Sequence, residues 1–121
     1  MNYFKIFEKA KENEYFREVL KTAENTQVVV MSIEVGSEIG EEVHEKEDQI
    51  LVFIEGEGEA IVAGETQKIE AGDLVLVPKG TVHNFINTGD TPLKLFTTYS
   101  PPHHPEGTIH QTKSDAEKAD Y

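Results

Sequence analysis

Two segments of this chain, residues 36–56 and 72–87, each combine turn-forming glycines, an apolar run and a histidine. In the first segment Glu42 and His44 lie two residues apart, so on an extended chain their side chains project from the same face. Short extended runs separated by turn residues every eight to twelve positions are typical of a β-sandwich or β-barrel. The two segments therefore predict a small all-β fold with polar side chains gathered on one inner face.

Two more side chains that bind metals lie close to the apolar runs of these segments. Gln49 opens the run Ile50–Ile54, and His83 follows the turn signal Pro78–Gly80. Together with Glu42 and His44, they supply a carboxylate, two imidazoles and a carboxamide, which are potential ligands of one metal ion. Each residue alone has a simpler explanation as a surface or turn residue, but the four at these spacings predict a metal site.

The two segments resemble the signature motifs of the cupin superfamily, small β-barrels that usually hold one metal ion. The first motif is glycine, His-x-His, glutamate and glycine at set spacings, and the matching letters here are Gly36, Glu42-Val43-His44, Gln49 and Gly56. The second motif is matched without a gap by Gly72, Pro78, Gly80, His83 and Asn87. Two of the ligand positions differ from the motif, since Glu42 replaces the first histidine and Gln49 replaces the glutamate.

The resemblance covers about residues 26–100 and implies the double-stranded β-helix, or jelly-roll barrel, of the cupins. We expect a single domain over residues 1–121 with short helical additions at both ends. The apolar spacing of Phe4–Asn13 predicts a short helix, and Ser114–Glu117 fits a capping box at the start of a second. The resemblance favours a strand for the ambiguous segment Glu14–Lys21.

The strand predictions also indicate which apolar face must be shielded from water. Gln27–Val35 alternates as a strand, and Leu93–Tyr99 is predicted to be the last strand. The run Ile50–Ile54 is apolar on both faces, so its outward side needs a second sheet or another subunit. We therefore expect a homodimer, with the N-terminal strand pairing across a twofold axis.

The predicted ligand set carries one negative charge, as the usual cupin set of three histidines and one glutamate does. We expect one divalent transition metal ion (Mn, Fe, Zn, Co or Ni), with the extra oxygen ligand favouring Mn or Fe. The resemblance implies a small-molecule ligand in the barrel and Lewis-acid chemistry of an isomerase, epimerase, oxygenase or cyclase type. The alternative is a non-catalytic module that binds a metal or a small molecule.

Further site residues are predicted around these ligands. The substrate pocket is expected to be lined by Met31, Leu51, Phe53, Phe85 and Asn87. The candidates for a catalytic acid or base are Tyr99, His104 and His110. Residues 101–121 contain prolines and histidines, and they form either a flap over the barrel mouth or, as we expect, an exposed polar tail.

Composition excludes several classes of function. The formal net charge of −12 argues against nucleic acid as a partner, because a phosphate backbone attracts a basic surface. The chain has no cysteine, so a thiolate metal site is excluded. No apolar run approaches the ~20 residues of a membrane span, and the N-terminus does not resemble a signal peptide. We expect a cytoplasmic protein with no membrane partner.

Overall fold

The computed structural model describes residues 1–119, which form mainly antiparallel β-structure. The elements in chain order are α1 (Ile6–Glu12), β1 (Arg17–Thr22), β2 (Gln27–Ile33), β3 (Asp48–Glu55), β4 (Glu57–Val62), β5 (Glu65–Glu70), β6 (Leu74–Val77), β7 (His83–Asn87), β8 (Leu93–Ser100), β9 (Ile109–His110) and α2 (Lys113–Lys118).

The strands form two sheets with the core between them. One sheet has six strands in the order β6-β3-β8-β2-β1-β9, and the other has three in the order β5-β4-β7. Met31, Leu51, Phe53 and Phe85 come from strands of both sheets and are completely buried in one apolar cluster. The predicted all-β jelly-roll fold with short terminal helices is therefore confirmed.

Two glycine positions show why the smaller sheet folds as it does. The β4–β5 hairpin turns through Ala63 and Gly64, whose φ angles of 51° and 82° match the two-residue turns that fit the twist of paired strands. In β4, a Cβ atom on Gly58 would lie 2.3 Å from the carbonyl oxygen of Ile86. Any side chain at this position would push β4 and β7 apart.

Helix α1 covers part of the outer face of the six-stranded sheet. Its Ala10 packs against Val30 and Ile54 in a second apolar cluster, so this part of the sheet needs neither a second sheet nor another subunit. The cover is incomplete, because Ile50 is 38% exposed and the neighbouring edge strand β6 exposes Leu74 and Leu76 at 59% and 55%.

Strand β1 confirms the strand predicted for Glu14–Lys21, and the edge expected to pair across a twofold axis is partly covered within the chain. One edge of β1 pairs with β2, and the other edge pairs at Arg17 and Glu18 with β9. The backbone N–H of Val19 also donates to the carbonyl oxygen of Thr108. The tail of the same chain therefore occupies part of the edge that a partner strand would need. Because β9 follows β8, the prediction that Leu93–Tyr99 is the last strand is wrong.

The C-terminal helix begins two residues earlier than the predicted capping box. Thr112, rather than Ser114, is the N-cap: its Oγ1 atom accepts from the backbone N–H of Asp115 at 3.1 Å. The Asp115 carboxylate accepts in return from the Thr112 N–H, so an aspartate takes the place of the glutamate expected in this motif. Neither helix of residues 1–119 is long and apolar enough to cross a lipid bilayer.

The rest of the tail packs against the barrel instead of forming an exposed polar segment. His104 and His110 are each 6% exposed. The completely buried Gln27 of β2 accepts from the backbone N–H groups of His103 and His104, and its amide nitrogen donates to the His104 carbonyl at 2.7 Å. Asp120 and Tyr121, the end of the predicted tail, lie outside the described residues.

Candidate metal centre

Backbone pairing brings the two motif segments side by side. Glu42 and His83 form an isolated antiparallel bridge, in which each backbone N–H donates to the carbonyl oxygen of the other at 2.9 Å. His44 lies two residues beyond Glu42 in the loop that leads to β3. A pair of residues far apart in sequence is thereby fixed at one end of the barrel.

The side chains of these three residues converge. Glu42, His44 and His83 each offer one ligand atom, and these atoms all lie within 4.8 Å of one another. The Nε2 atom of His44 is 3.6 Å from Oε2 of Glu42, and the rings of His44 and His83 are 5.1 Å apart between centroids. Such a cluster has the size of a coordination sphere around one ion.

A backbone hydrogen bond orients the ring of His83. Its Nδ1 atom lies 2.8 Å from the carbonyl oxygen of Thr81, and because a carbonyl can only accept, the proton must be on Nδ1. Nε2 then carries the lone pair, as it does in a metal-bound histidine whose other nitrogen is held by a hydrogen bond.

A second pair of hydrogen bonds orients Gln49. The Thr97 hydroxyl donates to the carbonyl oxygen of Ile50 at 2.8 Å, so it accepts from the amide nitrogen of Gln49 at 3.0 Å. The Oε1 atom of Gln49 is thereby directed away from Thr97. Gln49 belongs to the same inward face of β3 as the buried Leu51.

Three of the predicted ligand atoms are buried without a hydrogen-bond partner among residues 1–119: Nε2 of His44, Oε1 of Gln49 and Nε2 of His83. A buried acceptor without a partner costs about 1–3 kcal/mol, so natural folds rarely leave several together. A cation bound among Glu42, His44 and His83, whose ligand atoms lie within 4.8 Å of one another, would satisfy both imidazole nitrogens. These residues, together with the carboxylate of Glu42, therefore fit a divalent transition metal ion.

Burial also sets the protonation states of this cluster. Burial, followed by the charges of His103, His83 and Arg17, lowers the pKa of His44 to about 3. The imidazole is therefore neutral near pH 7, which is the form that binds metals. Burial raises the pKa of the Glu42 carboxyl, and the nearby charge of Arg17 opposes this effect.

The tail adds a histidine that sequence spacing did not place. His103 lies in ring contact with His44, 4.4 Å between centroids, and its Nδ1 atom is 2.8 Å from Oε1 of Glu47. His44, Glu47 and His103 form a second group with ligand atoms within 4.8 Å. The one available signal for Glu47 is its place two residues before Gln49, which puts both on the same side of an extended chain.

The three predicted acid–base candidates lie around this tail. Tyr99 is 1% exposed, and burial raises the pKa of its hydroxyl. Its ring stacks on His103 and meets the edge of His104. Burial lowers the pKa of His104 to about 2. His110 lies farther along the tail, where its Nδ1 atom accepts from Arg17 at 3.1 Å.

A cavity of about 310 Å³ opens beside Glu42. It is lined by Phe16, Arg17, Ile39, Gly40, Glu41, Glu42, His103, His104, Lys113, Ala116 and Glu117. A larger concavity of about 700 Å³ lies along β4 and β5 and includes none of the predicted site residues. We therefore take the smaller cavity as the one that belongs to the candidate metal centre.

The residues predicted for the substrate pocket occupy a different place. Met31, Leu51, Phe53 and Phe85 are completely buried in the core, and none of them lines the 310 Å³ cavity. Asn87 is also absent from its lining: its amide nitrogen donates to the carbonyl oxygens of Ile33 and Thr91, and its Oδ1 atom accepts from Gly89. The alternation of apolar and polar residues identified the side chains that point inward. These apolar side chains pack against one another and fill the space between the two sheets.

Comparison with known proteins agrees with this architecture. A family model described as "Cupin domain" matches residues 29–99. Protein YrkC of Bacillus subtilis is 42% identical over 117 residues, which cover 91% of this chain and 62% of YrkC. The chain thus spans less than two thirds of that relative. Protein L612 of Acanthamoeba polyphaga mimivirus is 34% identical, with 86% of this chain and 68% of the viral protein covered.

Solved structures show the same fold. The crystal structure of BH2720 from Bacillus halodurans superposes with a TM-score of 0.95 at 40% identity, covering 97% of this chain and 93% of that one. KdgF from Halomonas sp. superposes with a TM-score of 0.67 at 23% identity, over 72% of this chain and 78% of KdgF, which shows the fold alone. The family match extends over more than half of the sequence, and so this chain belongs to the cupin family.

Proposed function

We propose that this protein is a metal-dependent cupin enzyme that acts on a small molecule bound in the cavity beside Glu42. The observation that carries the proposal is the set of three buried acceptor atoms on His44, Gln49 and His83 that lack hydrogen-bond partners. The two imidazole nitrogens lie within 4.8 Å of a carboxylate oxygen of Glu42, and burial lowers the pKa of His44 so that its imidazole is neutral near pH 7. One carboxylate and three neutral donors match a divalent ion better than a monovalent one.

Glu42, His44, Gln49 and His83 would hold the ion, which we propose to be Mn or Fe ahead of Zn, Co or Ni. Two of these ligands are oxygens, and harder ions tolerate oxygen ligands better than softer ones do. When bound, the ion would act as a Lewis acid toward a substrate oxygen, a chemistry compatible with isomerisation, epimerisation, cyclisation or an oxygenase reaction.

His103 is the best-placed residue for proton transfer in this proposal. The Glu47 carboxylate accepts from its Nδ1–H, an arrangement that fixes the orientation and tautomer of the imidazole. His103 lines the cavity and its side chain is 25% exposed, so substrate can reach it. Tyr99 and His104 suit the task less well, because their pKa values lie far from neutrality.

Metal-dependent turnover tests this function. We would load the chelator-treated protein with Mn, Fe, Co, Ni or Zn and screen small sugars, keto acids and hydroxy acids for conversion. The proposal predicts turnover that disappears on chelation and falls at least 100-fold in His103→Gln, with the metal content of that variant unchanged. Stoichiometric metal and bound ligand without turnover would instead indicate the non-catalytic binding module.

We also propose a homodimer formed through the exposed stripe of Ile50, Leu74 and Leu76. Ile50 pairs with Leu76 across the two strands, and β6 is the open edge of the six-stranded sheet. A second copy of this chain is the partner that fits, because two antiparallel β6 strands about a twofold axis would pair their backbones and bury the same leucines. The edge at β1, by contrast, is taken by β9.

A further inference from the structure

Arg17, the first residue of β1, is a buried cation that forms no salt bridge with a carboxylate of residues 1–119. Its side chain is 6% exposed, and Nη1 donates to Nδ1 of His110 at 3.1 Å. Within that range, the two close contacts between a basic side chain and a carboxylate join His44 with Glu42 and His103 with Glu47, and neither includes Arg17. Its Nε–H group is buried with no acceptor. Such a charge is costly to bury unless an anion compensates it.

The surroundings of Arg17 indicate where such an anion would bind. The guanidinium lies 5.1 Å from the centre of the Phe16 ring, and both residues line the 310 Å³ cavity beside Glu42. Glu42, a residue of the candidate metal centre, lines the same cavity as Arg17. A molecule bound in this cavity would contact both Arg17 and Glu42.

The other charged residues that line the cavity within the described part of the chain form no salt bridge with Arg17. Glu41 and Glu117 line the cavity but are exposed at its rim, and Lys113 adds a second, half-buried cation. Glu42 belongs to the metal ligands. The interior wall is therefore positive at Arg17, although the protein as a whole carries a net charge of −12.

We propose that the small molecule bound here carries a carboxylate, and that Arg17 is the residue that binds this group. The inference rests on the proposed metal centre, since another oxygen of the same molecule would then lie at the ion. A guanidinium suits this role because its planar N–H groups match both oxygens of a carboxylate, which a lysine ammonium cannot do. Arg17 thus selects acidic substrates over neutral sugars and polyols.

The Nε–H group of Arg17 gives a test that needs no variant. We would follow its NMR signal in ¹⁵N-arginine-labelled, zinc-loaded protein during titration with malonate, a dicarboxylate probe, and with glycerol as the neutral probe. The inference predicts a saturable downfield shift with malonate and none with glycerol. An Arg17 signal that does not respond to malonate, or that responds equally to glycerol, overturns it.

Substitutions make the same test quantitative. Arg17→Met keeps most of the aliphatic stem, and we expect it to weaken malonate binding at least 10-fold, whereas Lys118→Met, an exposed change outside the cavity lining, changes it less than threefold. Arg17→Lys, which keeps the charge but loses the planar geometry, should fall between Arg17→Met and the wild type. Malonate binding by Arg17→Met within threefold of the wild type would contradict the inference.

A chelator-treated sample separates this inference from the proposed function. If malonate still shifts the Arg17 signal in protein that binds no metal under any loading condition, the metal centre is wrong and the carboxylate site at Arg17 stands. If metal binds with stoichiometry near one but malonate leaves Arg17 unchanged, the metal centre stands and the carboxylate site is wrong.

Discussion

The Nδ1 atom of His103 lies 2.8 Å from Oε1 of Glu47, so one hydrogen bond joins the C-terminal tail to the start of β3. The two residues are 56 positions apart in sequence. The His103 ring also packs between Tyr99 and His44, which belong to β8 and to the candidate metal centre. The tail therefore forms one wall of the site instead of a separate appendage.

We predict that His103→Ala loosens the tail without unfolding the barrel. It removes a hydrogen bond to a charged group, which contributes about 1.5–3 kcal/mol when buried and less at a half-exposed position. The measurement is hydrogen–deuterium exchange at residues 103–111, which should become at least 10-fold faster. Glu106→Ala, an exposed change in the same tail, is the matched control and should leave exchange as it is. Equal exchange in both variants would contradict a closing role for His103.

Thr97→Val should reduce metal affinity although Thr97 is not a ligand. The substitution keeps the shape of the side chain but removes the acceptor that holds the Gln49 amide, so the orientation of Oε1 is lost. Residues that orient metal ligands typically affect metal affinity 10- to 100-fold, and we expect a loss in this range by calorimetric titration. Thr98→Val on the opposite face of β8 is the control. Unchanged affinity in Thr97→Val would show that Gln49 does not bind the ion through Oε1.

Metal-free protein should become less stable as the pH falls from 7 to 5. Burial holds the pKa of His44 at about 3 and that of His104 at about 2, against an ordinary value of 6.5. The folded state then binds fewer protons than the unfolded state in this window, so stability is complete above pH 6.5 and decreases below it. We expect a loss on the order of 1–2 kcal/mol for each histidine by urea denaturation.

The variant His104→Leu isolates one of these two groups. Its stability should depend on pH less steeply between pH 7 and 5 than that of the wild type, because one of the buried histidines with a lowered pKa is gone. Burial raises the pKa of the Glu42 carboxyl, so this group has the opposite effect on the pH dependence of stability. That effect falls at pH values nearer 4.5, the ordinary pKa of a glutamate. A wild-type protein with the same unfolding free energy at pH 7 and pH 5 would show that these histidines are not buried.

Leu76→Glu should convert the proposed dimer to a monomer. The change places a carboxylate in the centre of the exposed stripe on β6, where it would be buried against its own copy about the twofold axis. Sedimentation velocity at micromolar concentration measures the result directly. Val35→Glu, at an equally exposed site after β2, is the control and should remain dimeric. A wild-type protein that sediments as a monomer would refute the dimer itself.

The barrel could be predicted because its signals are local. Alternation in Gln27–Val35 and the apolar run after Gln49 identify strands whose inward residues form the core. The spacing of Glu42 and His44 likewise places two side chains on one face of the same extended segment. The resemblance to the two short cupin motifs implied the jelly-roll fold and the convergence of these two residues with His83.

The tail could not be predicted, because long-range contacts determine its conformation. Gln27 accepts hydrogen bonds from the backbone N–H groups of residues 103 and 104, which are 76 and 77 positions away in sequence. No sequence pattern distinguishes a glutamine with this role from any other glutamine in a strand. Arg17 is a similar case, since nothing in the alternation of β1 shows that its charge faces a cavity. The residues that line the cavity could not be predicted either, because contacts between distant parts of the chain determine them.

Elemental analysis of untagged protein purified without chelator tests the metal centre most directly, beside His83→Ala and a His110→Gln control. We predict close to one equivalent of Mn, Fe, Zn, Co or Ni per chain in the wild type and in His110→Gln, and almost none in His83→Ala. Circular dichroism would verify that the variants retain the wild-type β-structure. A wild-type protein that contains no metal, and takes none up when titrated, would contradict the proposal that His44, Gln49 and His83 direct their buried acceptors at an ion.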